Sequence, residues 1–312
     1  MHLRLLLISW FYHLAMSAVI DTAYMTAAWR TMSKLLPSDH GLTAKLVGNE
    51  RLSAMEDKMT DARKTMGDAV VATLQEVACV RHHWLNLQLE KALQQEPSCH
   101  QVVLLAAGLD VRAYYLYCLK DKDVYELDQA ATIEHKTLLL RAELDLRSQS
   151  HDSIARKVVR VPAYIDDTGG WSRDLQAAGL DTSSPIIWIA EGLYYYMPEA
   201  CVRHVLLTIS KLPNNVVMAD MLGSQLKKSA AAKDLSGMFQ YGTDFPEQLL
   251  KDCGLEIIAL DEMGDQNCNF NVLDTTVMPE FWAFKTPSRG TKYYATGTAV
   301  VRNFLFSARS KQ

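Results

Sequence analysis

The chain has 312 residues, 49% of them apolar, enough to build a sizeable core in about two units or in one large α/β domain with a cap. Lys and Arg number 32 and Asp and Glu 36, a formal net charge of -4, which argues against the basic face of a general nucleic-acid binder. Fifteen Gly and nine Pro exclude collagen-like and low-complexity chains, no long run of like charge marks a disordered tail, and no repeat recurs at a fixed period.

Leu3 to Ile20 is apolar except for Arg4, Ser9, His13 and Ser17, and its uninterrupted stretches are too short for a stable membrane span. Three readings stand for it. One is an amphipathic helix, another an upstream extension before a start at Met16. The third is a signal peptide over 1–18, with Arg4 as its positive start and Ala15-Met16-Ser17 as small residues for cleavage. The first two are favoured, and the expected location is cytoplasmic. Ile20 to Gly48 reads as a helix and a loop, broken at Pro37 to Gly41. A long helix is predicted from about Asp57 to Gln95, where apolar residues recur at helical spacing and Pro97 lies just past the end.

The pattern then changes. Gln101 to Gly108 is a continuous apolar run ending in small residues, as in a buried parallel strand entering a tight turn. A helix over Ala113 to Leu119 follows, then a strand from Asp123 to Asp128 and a helix from Gln129 to Arg147. Val158 to Val161 and Pro185 to Ala190 are further strands, and Pro198 to Leu212 is a helix with Pro at its first turn. Asn215 to Asp220 is a strand, and Met221 to Thr243 lies between strand and helix as a candidate lid. Phe245 to Cys253 is a helix closed by Gly254, and Leu255 to Leu260 and Ala295 to Phe306 supply the last strands. Strands alternating with helices predict a doubly wound α/β sheet.

The six cysteines form no Cys-x-x-Cys pair and read as reduced core thiols. His82 and His83 are adjacent, a poor chelate on a helix, and no His-x-x-x-His occurs, so no metal site is expected.

In a doubly wound sheet, ligands bind at the carboxyl ends of the strands. There the first strand ends Ala106-Ala107-Gly108-Leu109-Asp110, with one glycine of a possible Gly-x-Gly-x-x-Gly. That weakens a dinucleotide reading and suits a cofactor that needs one close backbone approach. Asp128, 20 residues beyond Gly108, closes the second strand, where a carboxylate can accept from ribose hydroxyls. Glu191 follows the apolar run Ile186 to Ala190, an expensive place for an unpaired carboxylate. One of Tyr194, Tyr195 and Tyr196 could orient a substrate. Arg81 reads as a snorkelling side chain and Arg112 as a surface residue.

The runs Val102 to Arg112, Val124 to Gln129 with Lys136, and Trp188 to Pro198 stand in the order and spacing of one family. They resemble the S-adenosylmethionine-dependent methyltransferases of the leucine carboxyl methyltransferase group, in particular the bacterial-type branch with tetracenomycin-type polyketide O-methyltransferases. Weaker similarity extends over nearly the whole chain after Met16. The resemblance implies a Rossmann-like class I methyltransferase sheet over 98–312, with a helical N-terminal cap over 22–97, a lid at about 221–245, and an extension over 1–21. It implies S-adenosylmethionine as cofactor, with Gly108 near the methionine part, Asp128 on the ribose, Glu191 reaching the cofactor from the fourth strand, and Arg81 on the cofactor carboxylate. Three departures stand out. Ala106 replaces the family's Gly, and Ala130 follows Asp128-Gln129 where the family has Pro. Tyr164-Ile165 replaces the Asp-Leu beside the adenine, with Asp166 as a displaced substitute.

The implied reaction is methyl transfer to an oxygen of a small molecule or of a protein carboxylate. A carboxylate acceptor is ionised at pH 7, with a pKa of about 4, and needs no base. A phenol, with a pKa of about 10, would be helped by one, for which Tyr196 and His204 are the candidates. Two other readings stay open at this point, a non-catalytic binding protein on a degenerate methyltransferase fold and an NAD(P)-dependent oxidoreductase.

Overall fold

A computed structural model describes residues 19–33, 35–146, 153–166, 168–224, 239–263, 268, 270–273 and 303–310. The signal-peptide reading over 1–18, residues 1–18 of the predicted extension over 1–21, the middle of the candidate lid and residues 295–302 of the last predicted strand lie outside the described residues.

Among the described residues four helices come first: α1 (Val19–Met32), α2 (Leu42–Val47), α3 (Asn49–Met66) and α4 (Asp68–Gln95). The single long helix predicted over Asp57 to Gln95 is therefore two. Gly67 separates them with φ 87° and ψ 154°, a backbone conformation open to glycine and strained for any residue with a Cβ. Then follow β1 (Gln101–Leu105), α5 (Arg112–Tyr115), β2 (Asp123–Asp128), α6 (Ala130–Leu146) and β3 (Lys157–Pro162). The chain continues through α7 (Gly170–Ala177), β4 (Ile186–Ala190), α8 (Glu199–Ser210), β5 (Val216–Leu222), α9 (Pro246–Asp252), β6 (Leu255–Glu262) and β7 (Asn303–Ser310). The helix expected over Ala113 to Leu119 is the one-turn α5 followed by a 3₁₀ turn at Tyr117–Leu119. Helix α7, which has no counterpart in the sequence reading, buries Trp171 and Leu175.

The sheet has seven strands in the order β3-β2-β1-β4-β5-β7-β6. Strands β1 to β5 are parallel, and β7 runs antiparallel between β5 and β6. Both faces are covered, which is why β1 and β4 read as unbroken apolar runs. Val102 and Leu104 of β1, Ile187 and Ile189 of β4 and Met218 of β5 share a core with Tyr24, Trp29, Val71, Trp84 and Leu85 of the N-terminal helices. Val103, Leu105, Trp188, Ala190 and Val217 point the other way, into a core with α7, α8 and α9. There Trp171 meets Trp188 edge-on, with ring centroids 6.1 Å apart. The strand order reverses between β1 and β4, and the carboxyl ends on either side of that point carry the candidate site.

Candidate active site

The turn after β1 is left-handed at two residues, Ala106 (φ 53°) and Gly108 (φ 48°). Gly108 is needed for space as well as for conformation. A Cβ there would lie 3.2 Å from Ala23 Cβ of α1, which packs onto the turn. The Gly108 N–H donates to Asp128 Oδ2 at 2.7 Å, and the Gln129 N–H donates to Oδ1 at 2.7 Å. Asp128 is 6% exposed, and burial raises its carboxyl above the ordinary range against the pull of these N–H groups.

These residues form one wall of a cavity of about 470 Å³ that runs across the carboxyl ends of β3, β2, β1 and β4. Ala23, Thr26 and Arg30 of α1 and Arg81 of α4 close it from the helical side. Tyr164 and Ile165 stand at the β3 end, and Glu191, Gly192, Tyr195, Tyr196, Met197 and Gln240 at the β4 end. The structure thus brings Arg81, Gly108, Asp128, Glu191 and Tyr196 to one cavity.

Two predicted residues stand apart from it. Asp166 accepts from the Thr168 N–H at 2.9 Å and from Thr168 Oγ1 at 2.7 Å, closing a local turn, and it does not line the cavity. His204 sits on α8 beneath Gly169, where a Cβ would lie 3.2 Å from its Nε2, and it too is outside the cavity wall.

Behind the cavity is a buried charge network that the sequence reading did not foresee. Arg81 donates to Glu191 Oε1 at 3.3 Å, to Asp220 Oδ2 at 3.0 Å and to the Tyr195 hydroxyl at 2.9 Å. Gly192 allows this approach. Its φ is 71°, and a Cβ would lie 3.2 Å from the Tyr195 hydroxyl and 3.3 Å from an Arg81 nitrogen. Its N–H donates to Asp220 Oδ1 at 2.6 Å. Arg112, read from sequence as a surface residue, is fully buried. It donates to Glu191 Oε2 at 2.5 Å and to Asn86 Oδ1 at 2.6 Å, and it pairs with Asp110.

His82 completes the network, with Nδ1 2.9 Å from Glu191 Oε2 and Nε2 2.9 Å from the Tyr115 hydroxyl. Burial, reinforced by the Arg112 charge, lowers its pKa to about 4, so the ring is neutral at pH 7. Nδ1 also lies 2.9 Å from an Arg112 nitrogen, so the neutral ring either donates from Nδ1 to Glu191 and accepts the Tyr115 O–H at Nε2, or accepts from Arg112 at Nδ1 and donates from Nε2 to Tyr115. Burial alone would raise the Glu191 carboxyl, but the His82 ring and the Arg112 and Arg81 guanidiniums outweigh it and hold it well below the usual range. His82, Asp110 and Glu191 offer ligand atoms within 4.8 Å of one another, and the Arg112 guanidinium lies within hydrogen-bonding distance of all three.

Arg30, Asp110 and Arg112, which line the cavity, and His82 and Asp220, which lie behind it, are the residues of the candidate site that sequence reasoning did not place there. Asp220 carried a usable signal, since it is an acid at the end of the predicted strand Asn215 to Asp220; the observed β5 runs on to Leu222. Among the described residues no helix is long and apolar enough to cross a membrane.

A parallel sheet reversing beside β1, an antiparallel β7 inserted next to β5, and a glycine turn bonded to the acid of β2 define the Rossmann-like fold of the class I methyltransferases. Two solved structures share the fold. One is a DUF574 family protein from Streptomyces avermitilis, with TM-score 0.52 and 12% identity, covering 88% of this chain and 97% of that one. The other, from Thermobifida fusca, is described as a methyltransferase, with TM-score 0.50 and 15% identity over 90% of this chain and 98% of its own. The leucine carboxyl methyltransferase family model matches residues 23–210, and the chain belongs to that family. A Mycobacterium marinum protein named as an S-adenosyl-L-methionine-dependent methyltransferase is 31% identical over 254 residues, 77% of this chain and 76% of its own length. One from Mycobacterium ulcerans with the same name is 36% identical over 160 residues, 50% of this chain and 46% of its own. The chain is a methyltransferase that uses S-adenosylmethionine. Neither the scaffold reading nor the oxidoreductase reading gains support from these relatives.

Proposed function

We propose that the chain transfers the methyl group of S-adenosylmethionine to a carboxylate oxygen of a small molecule, bound at the Tyr196 end of the cavity. The residues present fit the donor. Arg30 lines the cavity and, among the described residues, has no carboxylate partner, its hydrogen bond being to Leu109 O at 3.3 Å. It is the guanidinium free to take the donor's carboxylate, whereas Arg81, assigned that role by resemblance, is already held by Asp220 and Glu191. Asp128 keeps lone pairs for the ribose hydroxyls beyond its two backbone bonds. Gly108 lets the methionine part approach the backbone. Glu191 serves by fixing Arg81, Arg112 and His82.

The bound donor supplies a methyl group on a sulfonium that is already activated. The protein's part is therefore placement, and well-oriented reactants can recover about 7 to 11 kcal/mol of a barrier. One observation carries the choice of acceptor. Tyr196 lines the cavity, its hydroxyl makes no hydrogen bond to another described residue, and burial pushes its pKa up to about 12. It is a donor at any working pH and cannot act as a base. Glu191, its pKa held well below the usual range, is a poor base, Asp128 is given to the ribose, and His204 lies outside the cavity wall. A carboxylate, ionised with a pKa of about 4, has no proton to lose and accepts the Tyr196 O–H in orienting its oxygen.

The four helices over 22–97 serve as the cap, because α1 and α4 supply one wall. Gln240 supports the assignment of 221–245 as a lid. Its N–H donates to Tyr195 O at 2.7 Å, and its side chain donates to Tyr196 O at 3.0 Å, fastening the chain at Gln240 to the acceptor end.

The test is to incubate the enzyme and labelled S-adenosylmethionine with a panel of carboxylic acids and phenols, then treat the products with base. Methyl esters release labelled methanol and methyl ethers do not. Base-stable label from the preferred acceptor would contradict carboxylate methylation.

A further inference from the structure

Tyr164 follows the end of β3 at the mouth of the cavity, and its side chain is 68% exposed. It makes no hydrogen bond or ring contact with another described residue. Its neighbours are fixed, however. Ala163 and Ile165 pack against the core on the far side of the sheet, and the Ala163 N–H donates to Asp128 O at 2.9 Å. An unpartnered ring is thus carried on an anchored stretch of chain, next to the acid that closes β2.

The order of groups along the cavity says what belongs there. The free Arg30 guanidinium lies beside the turn after β1, bonded to Leu109 O. Asp128 closes the next strand, β2, and Tyr164 follows the one after, β3. A donor with its carboxylate on Arg30 and its ribose on Asp128 must send its base toward β3, about 4.8 Å further along the sheet edge. The base therefore arrives at Tyr164. Asp166, whose Oδ1 accepts from Thr168, stands outside the cavity wall, so among the described residues that immediately follow β3 no carboxylate lines the cavity.

We propose that Tyr164 is the platform on which the donor's adenine stacks, so that this chain holds the base by its π face and reads its exocyclic amine weakly. The inference rests on the S-adenosylmethionine reading and adds what that reading leaves open, how the base is recognised. Stacking on an aromatic ring is tolerant of base identity because every base presents a π face. Tyr164 is thus a specificity residue for the donor, and it takes no part in moving the methyl group.

Calorimetric titration of the full chain with S-adenosylhomocysteine, S-inosylhomocysteine and L-methionine tests this on the wild type, Tyr164→Ala and Tyr164→Phe. Tyr164→Ala is expected to weaken S-adenosylhomocysteine about tenfold, the scale of one lost stacking contact, and to leave L-methionine unchanged. Tyr164→Phe is expected to keep wild-type affinity, and the inosyl analogue to bind the wild type within a few fold of the adenosyl compound. Tyr164→Ala binding like the wild type would overturn the proposal while leaving the cofactor reading intact. So would Tyr164→Phe weakening as far as Tyr164→Ala, or strong rejection of the inosyl analogue, since either result means recognition by hydrogen bonds. A wild type that binds no S-adenosylhomocysteine would remove the cofactor reading and this proposal together. Melting temperatures of the variants separate misfolding from lost stacking, and the ring's exposure leads us to expect no change in them.

Discussion

Glu191 is the residue on which the buried network turns. It meets Arg81, Arg112 and His82 at once, and a carboxylate in this position is tolerable only because each oxygen has a charged or N–H partner. The same network sets the protonation of His82. In the unfolded chain an imidazole takes up its proton near pH 6.5, and in the folded chain near pH 4. Between those values the unfolded state binds more protons, so stability falls as pH drops from 6.5 to 4 and this contribution levels off below. The span corresponds to about 3 kcal/mol for a group that is 2% exposed. Urea unfolding followed from pH 7 to pH 4 should therefore show a steep loss of stability in the wild type and a shallower one in His82→Gln. Equal slopes in the two proteins would mean that His82 is not the titrating group. The Glu191 carboxyl, lowered in the fold, adds its own acid sensitivity in a separate window, below its ordinary range.

At the scale of elements, the turn after β1 combines a tolerable defect with an obligatory residue. Ala106 holds φ 53°, a left-handed conformation that disfavours a Cβ by about 1 to 2 kcal/mol. Ala106→Gly relieves that strain but frees the unfolded chain by about 0.4 to 1 kcal/mol, so a net gain between zero and about 1.6 kcal/mol is expected. Gly108→Ala combines the same backbone strain with the 3.2 Å approach to Ala23 Cβ, and its denaturation midpoint should fall. Opposite shifts for the two variants support the observed turn, and a stabilising Gly108→Ala would contradict it. The strands around this turn were legible in the sequence because β1, β2 and β4 are buried on both faces and leave continuous apolar runs. The break between α3 and α4 was not, because helical spacing of apolar residues continues across Gly67 and a lone glycine inside such a pattern carries little signal. Helix α7 escaped notice because it is eight residues long, with two of them, Trp171 and Leu175, marked as its buried side chains.

At the scale of the whole molecule, sequence and structure agree best where a charge interrupts an apolar strand. Asp128 and Glu191 were legible as site residues because each ends such a run, and Gly108 because it follows one. Arg112 and His82 were not, because a polar residue on a helix gives no sign in sequence of the partner that buries it. The same limit applies to Arg30, whose meaning comes from the strand ends that α1 happens to cover. The account therefore rests on a ligand lying across four strand ends, held at Arg30 and Asp128. Its most direct test is to follow thermal unfolding of the wild type and of Asp128→Ala over a titration with S-adenosylmethionine. At 100 times its dissociation constant the ligand should add about 2.7 kcal/mol to the wild type's stability. Asp128→Ala should need more ligand for the same shift, in line with about 1 to 3 kcal/mol of lost binding. No shift in the wild type up to millimolar ligand, or an identical titration of the two proteins, would contradict the account.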